Sequence, residues 1–198
     1  KDIPPHFPEW VNRITVPKRG GTVTHVVCDD AETLVYLANQ GCLTPHVGLA
    51  RIDKIEYPDQ LFFDLDPARD EFDRIRSIAF SMKELLDEIA LVSFLKTTGS
   101  KGLHIVVPLD RKSSFDEVHE VARQIAAAFV KRRPDDSTLE FYKEQREGKV
   151  FIDINRNASA QTAVPAFAVR PIDGAPVAMP ITWDELRDPN LTARTYTI

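Results

Sequence analysis

The chain has 198 residues, enough for one sizeable hydrophobic core, and its hydrophobic fraction of 43% and charged fraction of 28% are typical of a globular domain. It contains no apolar run long enough to cross a bilayer and no signal-peptide core, and two cysteines without metal-ligand spacing favour a reducing cytoplasm. The formal net charge of −5 excludes a strongly basic protein, so contact with a nucleic acid would need a local basic patch, a metal bridge or a partner.

Strand-like and helix-like segments alternate along the chain, after a Pro-rich and basic opening (1–21) that predicts an irregular entry. The predicted strands are 22–28, 49–55, 60–65, 92–97, 104–108, 150–154 and 167–170. The predicted helices are one capped by Asp29 and Asp30 and ending at Gly41, a long amphipathic one over 70–90, one opened by a capping box at Ser114 and Glu117, and a short one from Thr182. This order predicts one α/β or α+β domain, a sheet with helices packed on it.

The strand 60–65 ends in Phe62-Phe63-Asp64-Leu65-Asp66-Pro67. Because residues i and i+2 of a strand point to the same face, Asp64 and Asp66 project together while Phe63 and Leu65 face the core. Paired carboxylates repel each other unless protons or cations intervene, and two Mg²⁺ or Mn²⁺ ions would satisfy them. The alternative is an acidic entry to the next helix, with Asp70 as its N-cap.

A second motif joins two strands: Lys96-Thr97-Thr98-Gly99-Ser100-Lys101-Gly102-Leu103-His104. Two glycines three residues apart allow a tight turn with exposed N–H groups that can hold phosphate, and Ser100 and Lys101 add a hydroxyl and a cation. His104 is a polar ring in an otherwise apolar strand, so it needs a partner. The alternative is an ordinary hairpin loop.

Two further residues complete the set of candidates. Asp153 interrupts the apolar strand 150–154 and is either a turn residue or a third metal ligand. Arg170 closes Phe167-Ala168-Val169-Arg170 and either clamps a triphosphate or forms a surface salt bridge. The basic run Lys131-Arg132-Arg133 fits the cationic last turn of a helix better than a nucleic-acid site.

Taken together, FFDLDP, TTGSKGLHIVVPL, FIDINRN…FAVR and MPITWDEL resemble the polymerase domain of bacterial and archaeal ligase D, the end-joining branch of the archaeo-eukaryotic primase superfamily. The likeness extends from about Ile3 to Leu186. It implies a primase-like fold with an RRM-like catalytic sheet flanked by helices.

The resemblance also implies an activity: metal-dependent addition of nucleotides, often ribonucleotides, to DNA ends in double-strand break repair by non-homologous end joining. Asp64, Asp66 and Asp153 align with the family's metal triad, for two Mn²⁺ or Mg²⁺ ions. Ser100, Lys101, Gly102 and His104 fall on its triphosphate loop, and Arg170 on its nucleotide-contacting arginine. The implied partners are nucleoside triphosphates, DNA primer–template ends, a Ku-like end-binding protein and a DNA ligase, with no membrane.

The chain departs from the family pattern in three respects. Relatives usually carry a segment before the point where this sequence starts, which grips a downstream 5′-phosphate, so 1–198 is expected to be a single catalytic domain without that segment. Ile154 stands where many relatives have an aromatic residue. Arg156 and Gln161 stand where Gln and Lys are common, which affects contacts to template or base more than metal chemistry.

Two other function classes stay open. A haloacid-dehalogenase-like phosphatase also presents D-x-D at a strand end and would use Asp64 as nucleophile and Asp66 as acid, but it leaves His104 without a role and has Thr where this chain has Ala68. Release of phosphate from a generic monoester would favour it. A catalytically inactive nucleotide- or DNA-end-binding module would bind triphosphate tightly without turnover under Mn²⁺.

Overall fold

The computed structural model describes residues 2–69 and 71–198. The strands are β1 Arg13–Lys18, β2 Gly21–Val26, β3 Val47–Gly48, β4 Gln60–Asp66, β5 Phe94–Thr97, β6 Leu103–Pro108, β7 Ser137–Thr138, β8 Val150–Asp153, β9 Thr162–Ala163 and β10 Pro180–Ile181. The α-helices are α1 Ala31–Asn39, α2 Phe72–Glu88 and α3 Phe115–Arg132, and short 3-10 helices lie at Ile52–Lys54, Lys143–Gln145, Asn155–Asn157 and Glu185–Arg187. None of the described helices is long and apolar enough to span a membrane.

Six strands form the central sheet, in the order β10-β5-β6-β4-β8-β7. Adjacent strands of this sheet run antiparallel, except for β7 and β8, which are parallel. Two small antiparallel ribbons, β1–β2 and β3–β9, accompany it. This mixed sheet with three helices confirms the predicted α/β (α+β) fold class.

The alternation along β4 places its side chains on two opposite faces. Leu61, Phe63 and Leu65 are at most 2% exposed and belong to the main hydrophobic cluster, to which α2 and α3 also contribute. Asp64 and Asp66 therefore lie on the opposite face, as predicted. Both belong to the strand, and α2 begins only at Phe72, so they are not the acidic helix entry of the alternative interpretation.

The long helices start and end close to their predicted bounds. The predicted N-cap Asp70 lies outside the described residues, and the residue at the N-cap of α2 is Glu71, whose side chain makes no capping hydrogen bond. The capping box of α3 is confirmed, since Ser114 and Glu117 each accept from the other's backbone N–H. Its basic end is also as predicted: Arg132 pairs with Glu88 at 2.7 Å.

The sequence prediction was wrong in the N-terminal segment. Residues 13–18 form β1, paired in register with β2 from Arg13↔Val26 to Lys18↔Gly21. Pro17 argued against a strand here because proline cannot donate a ladder hydrogen bond. Proline is nevertheless tolerated in edge strands, and both strands of a two-stranded ribbon are edge strands.

Two other predicted strands are also wrong. No strand lies within 49–55. The two-residue strand Val47–Gly48 ends just before this range, and a 3-10 helix occupies 52–54. Over 167–170 the structure assigns no strand: Phe167 adopts a φ of +64°. The segment contacts 176–178 through the isolated bridge Val169↔Val177 and a few backbone hydrogen bonds, such as that from the N–H of Arg170 to the carbonyl of Pro176 at 2.8 Å.

Asn157 holds β4 in place beyond the end of its pairing with β8. Its side chain is fully buried, accepts from the N–H of Phe62 at 2.7 Å, and donates to the carbonyls of Phe62 at 2.7 Å and Ile154 at 2.8 Å. The amide thus replaces the missing ladder bonds of β4 just before Asp64, where unpaired backbone groups would be costly.

Candidate active site

A row of four charged or titratable side chains crosses the sheet on the face opposite the main core. Lys96 of β5 is paired with His104 of β6, His104 with Asp64 of β4, and Asp64 with Asp153 of β8. Directly opposed residues of neighbouring strands share a face, so these four side chains are neighbours. We call them the charged row.

Asp64 lies at the centre of the charged row. Its Oδ1 is 3.5 Å from Nε2 of His104. Burial acts to raise the pKa of Asp64, but attraction and hydrogen bonding by His104, with the charges of Arg156 and Lys96, outweigh burial and lower it. Asp64 is therefore held as a carboxylate.

Asp153 experiences the opposite balance. Burial and the negative charge of Asp64 raise its pKa, against the hydrogen bonds of Asn155 and the charge of Arg156. The backbone N–H and the side-chain amide of Asn155 donate to its Oδ1 at 2.8 and 2.7 Å. Two facing carboxylates, one destabilised by the other, form a site that a hard divalent cation would neutralise.

Asp66 lies on the same face, two residues beyond Asp64, but it is bonded to Arg146. Nη1 of Arg146 donates to Oδ2 of Asp66 at 2.8 Å, and the guanidinium also donates to the carbonyls of Glu140 and Phe141. This guanidinium is buried and lies 4.3 Å from the centre of the Phe151 ring. Only Oδ2 of Asp66 takes part in this bond, so Oδ1 can bind an ion while the bond to Arg146 is kept.

Carboxylate oxygens are the ligands that Mg²⁺ and Mn²⁺ prefer. Within 2–69 and 71–198, no three His, Cys, Asp or Glu side chains are gathered into a ready metal cluster. Asp64 and Asp153 nevertheless fit a hard cation by donor type, register and the raised pKa of Asp153. Asp66, the predicted third ligand, lies on the same face, with one of its two carboxylate oxygens bonded to Arg146.

The loop between β5 and β6 is closed by its own threonine. Oγ1 of Thr98 accepts from the N–H groups of Ser100 at 3.3 Å and Gly102 at 3.1 Å, and donates to the carbonyl of Gly102 at 3.0 Å. Gly99 has a φ of +64°, and a Cβ there would lie 2.7 Å from Cγ of Arg170. The loop therefore requires glycine where it meets Arg170.

Two polar atoms at the site lack a protein partner. Nδ1 of His104 and Nε of Arg170 are buried, with no hydrogen-bond partner among the residues that the structure describes. Arg170 also forms no ion pair in the described part of the chain, so the surface salt bridge considered from sequence is absent. Buried polar atoms that are without a protein partner beside a cavity favour the binding of a polar ligand there.

All eight predicted site residues line one cavity of about 290 Å³. They are Asp64, Asp66, Ser100, Lys101, Gly102, His104, Asp153 and Arg170. The remaining lining residues are His46, Thr98, Arg156, Thr162, Ala163 and Val164. The structure thus brings the three motifs together, while the roles assigned to these residues stay predictions.

A larger cavity, of about 730 Å³, lies next to this one and shares Ser100 with it. It is lined by the first turn of α2 and by residues 189–194. It contains Glu71 and Asp73 but none of the paired carboxylates of the charged row. We therefore place the chemistry in the smaller cavity.

Sequence reasoning missed four residues of the site. His46 gave no signal in its loop, and Arg146 lies 80 residues from the Asp66 that it contacts. Arg156 was named only as a departure from a pattern. Lys96 carried a usable signal, since it is charged in the apolar strand Phe94–Thr97, the same argument that singled out His104.

Comparison with known proteins shows which family the chain is similar to. The family model described as "LigD, primase-polymerase domain" matches residues 1–198. The multifunctional non-homologous end joining DNA repair protein LigD of Mycobacterium tuberculosis is 34% identical over 200 residues, covering 96% of this chain and 26% of that protein. The bifunctional non-homologous end joining protein LigD of Bacillus subtilis is 30% identical, covering 100% of this chain and 32% of that protein. The chain thus spans between 26% and 32% of the length of these two relatives.

A solved structure, the polymerase domain from Mycobacterium tuberculosis ligase D in complex with DNA, superimposes with a TM-score of 0.84 at 34% sequence identity. The match covers 96% of this chain and 70% of that one. The likeness therefore extends over nearly the whole chain.

Proposed function

The chain belongs to the LigD primase-polymerase domain family, and from this we propose that it is a metal-dependent nucleotidyltransferase that extends or fills DNA ends in non-homologous end joining. Its substrates are then nucleoside triphosphates, with ribonucleotides favoured, and a primer–template end. Its ions are two Mn²⁺ or Mg²⁺. A Ku-like protein and a DNA ligase are the partners that the sequence resemblance implies.

One observation carries the proposal. The facing carboxylates of Asp64 and Asp153 and the closed loop Thr98–Gly102 line the same cavity. A phosphate loop alone would support binding, and a carboxylate pair alone would support a metal. Their combination is what transfer of a nucleotidyl group from a triphosphate requires.

The protein's own groups have separable tasks in this reaction. When bound, two ions lower the pKa of the primer 3′-hydroxyl and stabilise the pyrophosphate leaving group. Lys101 and Arg170 bind the β- and γ-phosphates and neutralise the charge that develops on them, and His104 lies beside them in the same cavity. The N–H groups of Ser100 and Gly102 already donate to Oγ1 of Thr98, so neutral donors to the phosphates come from the other N–H groups of the loop. No side chain has to act as a covalent nucleophile.

Extension of a labelled primer on a template with Mn²⁺ tests the proposal. We expect the wild-type protein to incorporate nucleotides only when the divalent ion is present. Triphosphate binding without incorporation would indicate the inactive binding module instead. Phosphate release from a generic monoester without incorporation would indicate the phosphatase.

Because the net charge is −5, the chain has no overall excess of Lys and Arg to pair with phosphates, so contacts to the bases become more important for binding nucleic acid. Phe141 and Tyr142 are 61% and 62% exposed, with ring centroids 5.6 Å apart. Their loop is joined to the site by Arg146, which contacts both the carbonyl of Phe141 and the carboxylate of Asp66. Exposed aromatic rings stack on bases irrespective of sequence. We therefore assign this pair to the primer–template end.

Replacing both Phe141 and Tyr142 with alanine is expected to raise the KM for the primer–template roughly 10- to 100-fold, because one stacked base contributes about 1–3 kcal/mol. The KM for the nucleoside triphosphate is expected to stay within about twofold. Steady-state extension kinetics with each substrate varied separately measure both. Trp10→Ala, which removes a 51% exposed ring outside the cavity lining, is the control. Equal loss in the two proteins, or a change confined to the triphosphate, would contradict the assignment.

A further inference from the structure

Lys96 is the one member of the charged row to which the proposed mechanism gives no task. The residue is only 6% exposed, on the active face of β5. Its Nζ donates to the carbonyl of Val164 and lies 5.3 Å from the centre of the Phe62 ring. Buried lysines are rare unless a partner compensates their charge.

The compensating charge lies two strands away in the same row. Asp64 and Lys96 influence each other electrostatically, each favouring the ionised form of the other. Burial lowers the pKa of Lys96 to about 8, so the ammonium keeps its charge at neutral pH. A fixed positive charge therefore stays beside a carboxylate that is expected to bind a divalent cation.

Lys96 also connects two parts of the cavity. Val164, which accepts its hydrogen bond, lines the cavity directly after β9. β9, which pairs with β3, supplies Thr162 and Ala163 to the cavity lining, so 162–164 form one wall of the cavity. The ammonium of Lys96 thus links strand β5 to the cavity wall 162–164. It also adds positive charge next to a cavity that must hold a polyphosphate.

We propose that Lys96 is a positioning residue of this site, a buried cation that weakens divalent-ion binding at Asp64 and strengthens triphosphate binding. It acts through its charge and through its hydrogen bond to the carbonyl of Val164 in the cavity wall. This rests on the proposed function for the identity of the two ligands. It predicts opposite changes in the two affinities when the charge is removed. A purely structural lysine would change neither, or would weaken both.

Lys96→Met, which keeps the approximate length of the side chain and removes its charge, tests this at neutral pH. Binding of Mn²⁺ to the nucleotide-free protein is measured by loss of the free-ion EPR signal. Binding of ATP is measured by calorimetry in EDTA. Relative to wild type we expect the Mn²⁺ dissociation constant to fall about tenfold and the ATP dissociation constant to rise about tenfold, the size of one charge interaction in partly screened surroundings.

Three further proteins keep the result interpretable. Lys96→Arg keeps the charge and is expected to bind Mn²⁺ with nearly wild-type affinity. Lys96→Gln replaces Lys96→Met if thermal melting shows that the methionine variant is unfolded. Lys112→Met removes a cation whose side chain is 78% exposed, outside the cavity lining, and is expected to change neither affinity.

Unchanged or weaker Mn²⁺ binding by Lys96→Met would overturn the proposal, as would ATP binding that does not weaken. Both readouts are equilibrium binding, so they are independent of nucleotide incorporation. A wild-type protein that binds Mn²⁺ but extends no primer would overturn the proposed function and leave the Lys96 proposal to its own result. A wild-type protein that binds no Mn²⁺ would overturn both.

Discussion

Replacing Asp153 with asparagine is expected to reduce Mn²⁺-dependent primer extension by about a thousandfold, the order of loss when a main electrostatic element of an active site is removed. Asparagine keeps the shape and an oxygen that can accept the two hydrogen bonds from Asn155. It removes the charge that faces Asp64. The loss should therefore appear in kcat and in metal binding, with the fold intact.

Stability distinguishes this loss from unfolding. Because the pKa of Asp153 is raised in the folded protein, the folded state holds the ionised carboxyl less well than the unfolded chain does. Ionised Asp153 therefore costs stability, and this cost is present once the pH exceeds the folded pKa and disappears as the carboxyl is protonated at lower pH. Without metal, Asp153→Asn is expected to melt at or above the wild-type temperature at neutral pH.

Mn²⁺ should reverse that order. A ligand at a hundred times its dissociation constant stabilises a protein by about 2.7 kcal/mol, so the ion should raise the melting temperature of wild type but not of Asp153→Asn. The exposed Asp173→Asn, outside the cavity, is the control and should retain the metal response. Extension at the wild-type rate by Asp153→Asn would show that Asp153 is not a metal ligand.

Gly102→Ala is expected to lower the free energy of unfolding by about 1–3 kcal/mol, the usual cost of an added methyl group where no space exists. A Cβ at Gly102 would lie 2.4 Å from the carbonyl oxygen of Leu65 and 3.6 Å from Oδ1 of Asp64. The backbone between Asp64 and Asp66, the two carboxylates of β4 that we propose as metal ligands, would have to move. Primer extension is expected to fall at least about tenfold, since a shift of about 1 Å in reacting geometry is that costly.

Gly48→Ala is the matched control, because a Cβ there meets no atom within 4 Å and neither glycine has a positive φ. Urea unfolding and extension rates of the two variants are compared directly. If Gly102→Ala is as stable and as active as Gly48→Ala, the close contact between the phosphate loop and β4 does not determine the geometry of the site.

The sequence predicted the parts of the site that depend on local pattern. Alternation along β4 placed Asp64 and Asp66 on one face, and the glycine spacing predicted a turn that brings Ser100 and His104 near each other. The fold class followed from the order of strands and helices. These predictions hold because their causes act over a few residues.

The remaining features arise from pairings that no local pattern specifies. The register that sets Asp64 against Asp153 joins residues far apart in the chain, and Arg146 reaches Asp66 across 80 residues. The local pattern also gave a wrong prediction where backbone contacts with a distant segment determine the conformation, as at Phe167, whose N–H donates to the carbonyl of Ala178. Phe167 turns with a positive φ in an apolar stretch that reads as a strand.

The most direct measurement is a crystal structure with Mn²⁺ and a non-hydrolysable nucleoside triphosphate. The expected structure has ions held by Asp64 and Asp153, with Asp66 joining them through the oxygen that Arg146 does not contact. Its β- and γ-phosphates lie against the Thr98–Gly102 loop, His104 and Arg170. Triphosphate in the neighbouring cavity beside α2, or ions bound away from the facing carboxylates, would contradict it.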